Sequence, residues 1–337
     1  MAPIQNKIDF AQPINIAPIF DNDCTAHQAV CVEIGRVLEA DGVFIAAGLP
    51  DGTQFERRAN SLLAFFDLPA AAKLRLATTR MQADSPRSYR GYVSSLKDGW
   101  AYNEYFDIGP ERATPAPAIT AAKIFAEANC WPAHPPFAEW RAEMLRYHQA
   151  MEKTGAAILR AAADFLGLAE SDISTRFRNA GSTVRLLNYP LKPDGATISE
   201  EMPEADGTRL ITGRHVDAAA LSLLWQREAG LQAQTPDGRW LDIPLCAGTV
   251  SVHLGTVMEF LSGGRWPATP HRVIDSGAAR GSIGYFHEPN LDADLSPLLP
   301  VVENSGQKNP GLTYGAHLLE RFGRYEGLEH LVTPVRG

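Results

Sequence analysis

Hydrophobic residues recur every three or four positions in four segments of the chain, the spacing that places them on one face of an α-helix. The longest segment carries an apolar stripe from Phe137 to Phe165, and Gly167 follows it as a C-terminal cap. We expect this stripe to pack in the protein core. The pattern predicts helices over residues 25–41, 53–66, 137–166 and 314–325.

From residue 182 the pattern changes to short apolar or alternating runs, separated by turn signals such as Pro236-Asp237-Gly238. Their irregular spacing favours a β-sandwich or barrel over a parallel α/β sheet. Two earlier runs, 14–20 and 43–47, also predict strands. The later predicted strands are 183–189, 220–226, 231–235, 249–254, 271–275 and 282–288.

The order of these elements predicts one elaborated domain over residues 1–337, because neither an internal repeat nor a linker interrupts the chain. A helix-rich part over 1–180 precedes a β-rich core over 181–290, and a helical tail over 291–337 closes the chain.

Composition narrows the class of protein. With 337 residues, of which 45% are hydrophobic, the chain is typical of a globular protein and not of a disordered one. Its net charge is −8 and it contains no block of Lys and Arg. These values argue against a nucleic-acid partner or an anionic membrane surface.

The cysteines and the N-terminus indicate a cytoplasmic protein. Four cysteines, Cys24, Cys31, Cys130 and Cys246, form no CxxC pair, which is typical of reduced thiols. The N-terminus lacks the apolar core of a secretory signal. No apolar run approaches the ~20 residues that cross a bilayer.

The sequence Gly213-Arg214-His215-Val216-Asp217 is a candidate metal motif. Residues i and i+2 of a strand project from one face, so His215 and Asp217 would converge on one ion. A second histidine would complete the two-histidine, one-carboxylate triad that suits non-haem Fe(II). Both His253 and His271 lie in predicted strands and are candidates for this third ligand.

A candidate anion clamp follows His271. Arg280 offers a planar fork that matches a carboxylate, and Ser282 adds a hydroxyl on the same strand face. An iron triad beside such a clamp is what a chelating 2-oxo acid with a distal carboxylate requires.

In this order and near this spacing, the motifs resemble those of the iron- and 2-oxoglutarate-dependent oxygenases of the isopenicillin N synthase-like family. The resemblance extends over nearly the whole chain. The matching segments are Arg90-Gly91-Tyr92, Asn129-Cys130-Trp131-Pro132, the run 185–190, His215-Val216-Asp217, Gly230-Leu231-Gln232, His271-Arg272-Val273, Arg280-Gly281-Ser282 and the run 310–322.

The resemblance implies a mainly β fold with α-helices: a double-stranded β-helix (jelly roll) over 181–290, wrapped by N-terminal and C-terminal helices. The part over 1–180 would be the family's N-terminal region. The implied Fe(II) ligands are His215, Asp217 and His271, with no catalytic residue beyond them. Arg280, Ser282 and Tyr189 would hold 2-oxoglutarate. His253, which stands where relatives often carry Asn, would pack behind the ligands.

By the same resemblance, the protein would hydroxylate a small molecule while 2-oxoglutarate is decarboxylated to succinate and CO2. O2 is the other cosubstrate, and ascorbate is expected to stimulate the reaction in vitro. Arg185 and Arg324 would suit a carboxylate-bearing substrate. The implied pocket residues are Tyr92, Tyr102, Phe106, Arg185, Leu223, Phe286 and Arg324.

The segments 260–273 and 284–290 resemble bacterial members, notably the ethylene-forming enzyme group, which makes ethylene formation one alternative. Another is an oxidase that uses iron and O2 without 2-oxoglutarate, in which the Arg280/Ser282 clamp holds substrate. A zinc hydrolase with the same three ligands and a catalytically silent small-molecule binding protein are further alternatives.

Overall fold

A computed structural model describes residues 12–21, 24–82, 84–97, 100–112, 115, 117–193, 207–303 and 311–323. Its strands are β1 (Ile14–Asn15), β2 (Val43–Ala47), β3 (Gly91–Lys97), β4 (Trp100–Ile108), β5 (Thr183–Tyr189), β6 (Leu210–His215), β7 (Leu221–Gln226), β8 (Leu231–Gln234), β9 (Trp240–Asp242), β10 (Val250–Leu254), β11 (His271–Ile274) and β12 (Arg280–His287). Its helices are α1 (Cys24–Asp41), α2 (Phe55–Leu62), α3 (Ala70–Leu74), α4 (Trp140–Leu166), α5 (Glu170–Phe177), α6 (Thr256–Leu261) and α7 (Tyr314–Phe322).

The strands form two sheets that pack against each other. The larger has eight strands in the order β1-β2-β10-β7-β12-β5-β4-β3, and the smaller has four in the order β6-β11-β8-β9. Their facing side chains share a small core, in which Val43 and Ile45 of β2 meet Leu231 and Val273 of the smaller sheet. The predicted mainly β class with α-helices is confirmed.

Helix α4 closes the outer face of the larger sheet. The predicted stripe is buried, from Trp140 and Met144 through Met151 to Ile158. Gly155 lets the helix approach β12 closely, since a Cβ there would lie 2.9 Å from the His287 ring. The helix ends at Gly167, whose φ of 72° provides the predicted left-handed cap.

One predicted strand differs from the structure, and several elements were not predicted, among them β9, α3, α5 and α6. The strand predicted over 14–20 is wrong beyond Asn15, because Ala17–Phe20 forms a 3-10 helix with proline in its first turn. The hairpin of β3 and β4 and the strand β6 were not predicted. The N-terminal 180 residues are therefore more than a helical wrapping, since they supply β1 to β4 of the larger sheet.

The remaining predicted elements match observed ones with small shifts at their ends. The predicted helix 53–66 is helical throughout, with α2 at its centre and 3-10 turns on both sides. Within the described residues, no helix combines the length and apolar character needed to span a membrane.

Candidate active site

His215, Asp217 and His271 converge at the mouth between the two sheets. His215 ends β6 and His271 begins β11, and the two residues stand directly opposite each other in the antiparallel register. The nearest oxygens of Asp217 lie 3.8 Å from His215 Nε2 and 3.5 Å from His271 Nε2. One ligand atom from each of the three side chains lies within 4.8 Å of the others.

Asp217 reaches the cluster from a loop and not from a strand. The prediction that Asp217 shares a strand with His215 is wrong, because β6 ends at His215 and Asp217 lies in the segment that follows. The carboxylate is instead turned inward by Ser222, whose hydroxyl donates to Asp217 Oδ2 at 2.5 Å.

Backbone carbonyls fix the tautomers of both histidines. His215 Nδ1 lies 2.9 Å from Gly213 O, and His271 Nδ1 lies 3.2 Å from Thr269 O. Because a carbonyl only accepts, each Nδ1 carries the proton and each Nε2 presents its lone pair to the cluster. This arrangement is typical of metal-binding imidazoles.

Electrostatics favour the protonation states that metal binding requires. Burial lowers the pKa of His215 to about 4, and the neighbouring His271 acts in the same direction. For Asp217, burial alone would raise the pKa, but His271, His215 and the Ser222 hydroxyl outweigh it and hold the pKa below its usual value. At neutral pH the site therefore presents a neutral His215 and an ionised Asp217.

His253 stays outside this cluster. Its ring lies 5.2 Å from that of His271, and its Nε2 is 2.9 Å from Ser251 Oγ. The three-residue cluster contains His271 and not His253. The geometry therefore favours His271 as the third ligand.

Arg280 is a buried cation held by neutral groups. Only 3% of the residue is exposed. Its Nη1 donates to Ser282 Oγ at 3.0 Å and its Nη2 to Gln226 Oε1 at 3.1 Å, while Nε has no partner. No ion pair joins it to a carboxylate of the described residues, and burial lowers its pKa.

A buried guanidinium without a counterion is costly, so this position fits an anionic ligand. Tyr189 completes the site: its ring lies 5.4 Å from the Arg280 guanidinium, and its hydroxyl is 3.2 Å from Thr212 Oγ1. The predicted trio of Arg280, Ser282 and Tyr189 is thus brought together.

The cluster and the clamp line one cavity of about 510 Å³. Tyr105, Arg185, Phe286, Arg321 and Phe322 also line it. Two of the predicted pocket residues, Arg185 and Phe286, are therefore present. Arg185 is compensated, because its Nε and Nη2 donate to both oxygens of Asp107 at 2.8 and 2.7 Å.

Four predicted pocket residues do not line this cavity: Tyr92, Tyr102, Phe106 and Leu223. The reason is strand parity, since alternate residues face opposite sides of a sheet. On β4 the cavity receives Asn103 and Tyr105, so the intervening and flanking residues turn away. Phe106 stacks on Phe65 in the core instead, with ring centroids 4.3 Å apart. Arg324 lies outside the described residues.

Several residues of the site carried no signal in the sequence. Ser222, Thr212 and Gln226 act only through partners that are distant along the chain or lie on other elements, as described above. Arg321 donates to Val216 O, between His215 and Asp217, and lines the cavity. It belongs to the predicted closing helix, but it was not among the predicted pocket residues.

Glu288 also lines the cavity and was not predicted. Its carboxylate accepts from Thr183 Oγ1 at 2.9 Å and from Tyr314 OH at 2.8 Å. Burial raises its pKa above the usual value.

The chain is similar to known proteins over most of its length. The chain is 27% identical to "Isopenicillin N synthase" of Streptomyces jumonjinensis over 309 residues, which is 90% of this chain and 92% of the relative. It is 28% identical to "2-oxoglutarate-dependent dioxygenase citB" of Monascus ruber over 333 residues, 95% of this chain and 97% of the relative.

The fold is similar to the crystal structure of a full-length Neurospora crassa protein in complex with alpha-KG and thymine. The TM-score is 0.72 at 22% identity, covering 91% of this chain and 95% of that one. This likeness confirms the predicted jelly-roll fold. Residues 181–289 match the family model described as "2OG-Fe(II) oxygenase superfamily". The predicted resemblance is confirmed, and the chain carries a domain of the 2OG-Fe(II) oxygenase superfamily.

Proposed function

We propose that this protein oxidises a small molecule, by hydroxylation, with Fe(II) held by His215, Asp217 and His271. In this proposal Arg280, Ser282 and Tyr189 hold the distal carboxylate of 2-oxoglutarate. The observation that carries the proposal is the buried Arg280 without a carboxylate partner in the same cavity as the ligand cluster.

When bound, iron and 2-oxoglutarate supply the oxidising chemistry, in which O2 is consumed and 2-oxoglutarate yields succinate and CO2. The protein's own groups position these reactants. The Nδ1 hydrogen bonds of His215 and His271 hold both ring planes, and Ser222 holds Asp217. A cosubstrate carboxylate at Arg280 would compensate its charge and occupy the orphaned Nε.

The substrate that fits best is small and bears a carboxylate. Arg185 already pairs with Asp107, so Arg321 is the better candidate for binding it. The aromatic rings of Tyr105 and Phe286 also line the cavity and would contact an apolar part of the substrate. A cytoplasmic location and the ethylene-forming resemblance stay predictions.

The test measures succinate release from 2-oxoglutarate with Fe(II), O2 and ascorbate. We expect release by the wild type, loss in His215→Ala because one ligand is removed, and retention in the matched control His134→Ala, an exposed histidine away from the cavity. Equal release by the wild type and His215→Ala would overturn the ligand assignment.

The match to isopenicillin N synthases favours one second candidate, an oxidase that uses no 2-oxoglutarate. O2 uptake distinguishes the two. Uptake that requires 2-oxoglutarate supports our proposal, whereas substrate-dependent uptake without it supports the oxidase. A protein that retains zinc and takes up no O2 would instead be a hydrolase or a binding protein.

A further inference from the structure

A second cluster of metal-binding side chains lies between α1 and α4, and none of its members lines the cavity. His27 and Cys31 are one turn apart on α1, and Asp164 stands in the last turn of α4. One ligand atom from each of these three residues lies within 4.8 Å of the others. Residues four apart share a helix face, which explains why the two α1 side chains meet the same part of α4.

We propose that His27, Cys31 and Asp164 form a binding site for a thiophilic divalent cation of the Zn²⁺ class. Imidazole, thiolate and carboxylate are the three donor types of protein zinc sites. Tetrahedral coordination places such donors roughly 3.3–3.7 Å apart. The observed upper bound of 4.8 Å therefore requires a closure of about 1 Å, which side-chain rotation can supply because His27 is half-buried and Asp164 is exposed.

The backbone around this cluster is already fixed by packing. One turn beyond Cys31, Gly35 lies against Phe165, the neighbour of Asp164, and a Cβ at Gly35 would be 2.0 Å from Phe165 Cγ. The two helices therefore meet with no space to slide. This contact fixes the spacing of the two helix backbones, so only the donor side chains need to move when a metal binds.

A cation that binds here must displace the proton of the buried Cys31 thiol. Cys31 is 5% exposed, and burial, with a smaller contribution from Asp164, raises its pKa. A divalent cation would displace the thiol proton and compensate both the thiolate and the carboxylate. Since His27 and Asp164 remain accessible, water can complete the coordination.

This site differs in metal preference from the proposed iron site. The iron cluster offers two nitrogens and one oxygen, whereas the α1/α4 cluster includes sulfur, a soft ligand that selects Zn²⁺ and Co²⁺ over harder ions. Binding there would join α1 to α4 without contacting the oxygenase cavity.

Cobalt tests the assignment, because thiolate-to-Co²⁺ charge transfer absorbs in the near ultraviolet and the iron cluster contains no thiolate. We expect the full-length protein to develop this band with two equivalents of Co²⁺, enough to fill both this site and the proposed iron site, and Zn²⁺ to abolish it. Cys246→Ser, a matched cysteine away from the cluster, retains the band. Cys31→Ser loses it.

Asp164→Asn changes an exposed side chain and is expected to fold. Weaker Co²⁺ binding in this variant therefore cannot be attributed to misfolding. We expect Asp164→Asn and His27→Asn each to weaken Co²⁺ binding at least tenfold. The absence of the band in the wild type would overturn the proposal. So would a band of equal strength in Cys31→Ser, or unchanged affinity in both Asp164→Asn and His27→Asn.

Discussion

Arg280 illustrates how neutral neighbours can prepare a charged group for a ligand. Ser282 and Gln226 each accept one hydrogen bond from its fork, which fixes the guanidinium plane without compensating its charge. Gln226 is itself held, since its Oε1 also accepts from Leu231 N at 3.1 Å and its Nε2 donates to Ile243 O at 3.3 Å. A carboxylate ligand therefore meets an oriented cation with its charge still available.

This arrangement predicts the effect of Gln226→Glu. The new carboxylate would pair with Arg280 at the same place and compete with the carboxylate of 2-oxoglutarate. We expect the KM for 2-oxoglutarate to rise at least about tenfold, which corresponds to ~1.4 kcal/mol, while kcat at saturation changes less. Succinate release over a 2-oxoglutarate titration measures both constants.

Gln232→Glu is the matched control for this variant. Gln232 accepts from Arg272 Nε at 2.8 Å on the neighbouring strands, but it does not line the cavity. The KM of this control should match that of the wild type. An unchanged KM in Gln226→Glu would show that Gln226 has no part in orienting the clamp.

The sequence predicted some residues of the site but not others. His215, Asp217, His271 and Arg280 are recognisable because their type and spacing along the chain carry the chemistry. Gln226 has no such signature, because its role depends on which strands lie beside it.

Elements were predicted where one face is apolar and the other polar. Helix α4 was found from its stripe, and β5 from an apolar run. The hairpin of β3 and β4 mixes these signals, because polar Asn103 faces the cavity while polar Glu104 is buried on the other face beside Lys73. Because apolar and polar residues do not alternate in this hairpin, the sequence indicated neither the strands nor which of their residues face the cavity.

The contact between α4 and β12 predicts a pH dependence of stability. Burial lowers the pKa of His287 to about 4, with a smaller contribution from His148, whereas Glu152 acts in the opposite direction. In the unfolded chain a histidine titrates near its ordinary pKa of ~6.5. Between these values the unfolded state binds more protons, so the stability falls as pH decreases through this window.

At pH 5 this residue alone should lower the free energy of unfolding by about 2 kcal/mol relative to neutral pH. In His287→Asn this part of the pH dependence disappears. Chemical denaturation at pH 7 and pH 5 measures the difference, with the exposed His134→Asn as the control that keeps the wild-type dependence. Equal pH dependence in His287→Asn and the wild type would contradict the assignment.

At the scale of the whole molecule, the cavity joins parts of the chain that are distant in sequence. The cluster and the clamp come from β5, β6, β11 and β12 and from the segment after β6, and α7 adds Leu318, Arg321 and Phe322 to the lining. These elements belong to both sheets. A ligand that contacts them all binds only the folded state, so it should stabilise the entire fold.

Anaerobic thermal unfolding tests this coupling. A ligand at a concentration of about 100 times its Kd adds ~2.7 kcal/mol to the free energy of unfolding. For a chain of this length, that raises Tm by about 4 °C. We expect Mn²⁺ to raise Tm, 2-oxoglutarate to raise it further only when Mn²⁺ is present, and a chelator to reverse both. Two variants separate the contributions of metal and cosubstrate to Tm. His215→Ala should lose both increases in Tm, because a chelating cosubstrate needs the metal. Arg280→Leu should keep the increase caused by Mn²⁺ and lose the one caused by 2-oxoglutarate. If Arg280→Leu kept the full second increase, 2-oxoglutarate would not bind through Arg280, and the clamp assignment would be wrong. If the wild type itself showed no increase with 2-oxoglutarate, the clamp would be free to hold the substrate, as expected for an oxidase of the isopenicillin N synthase type.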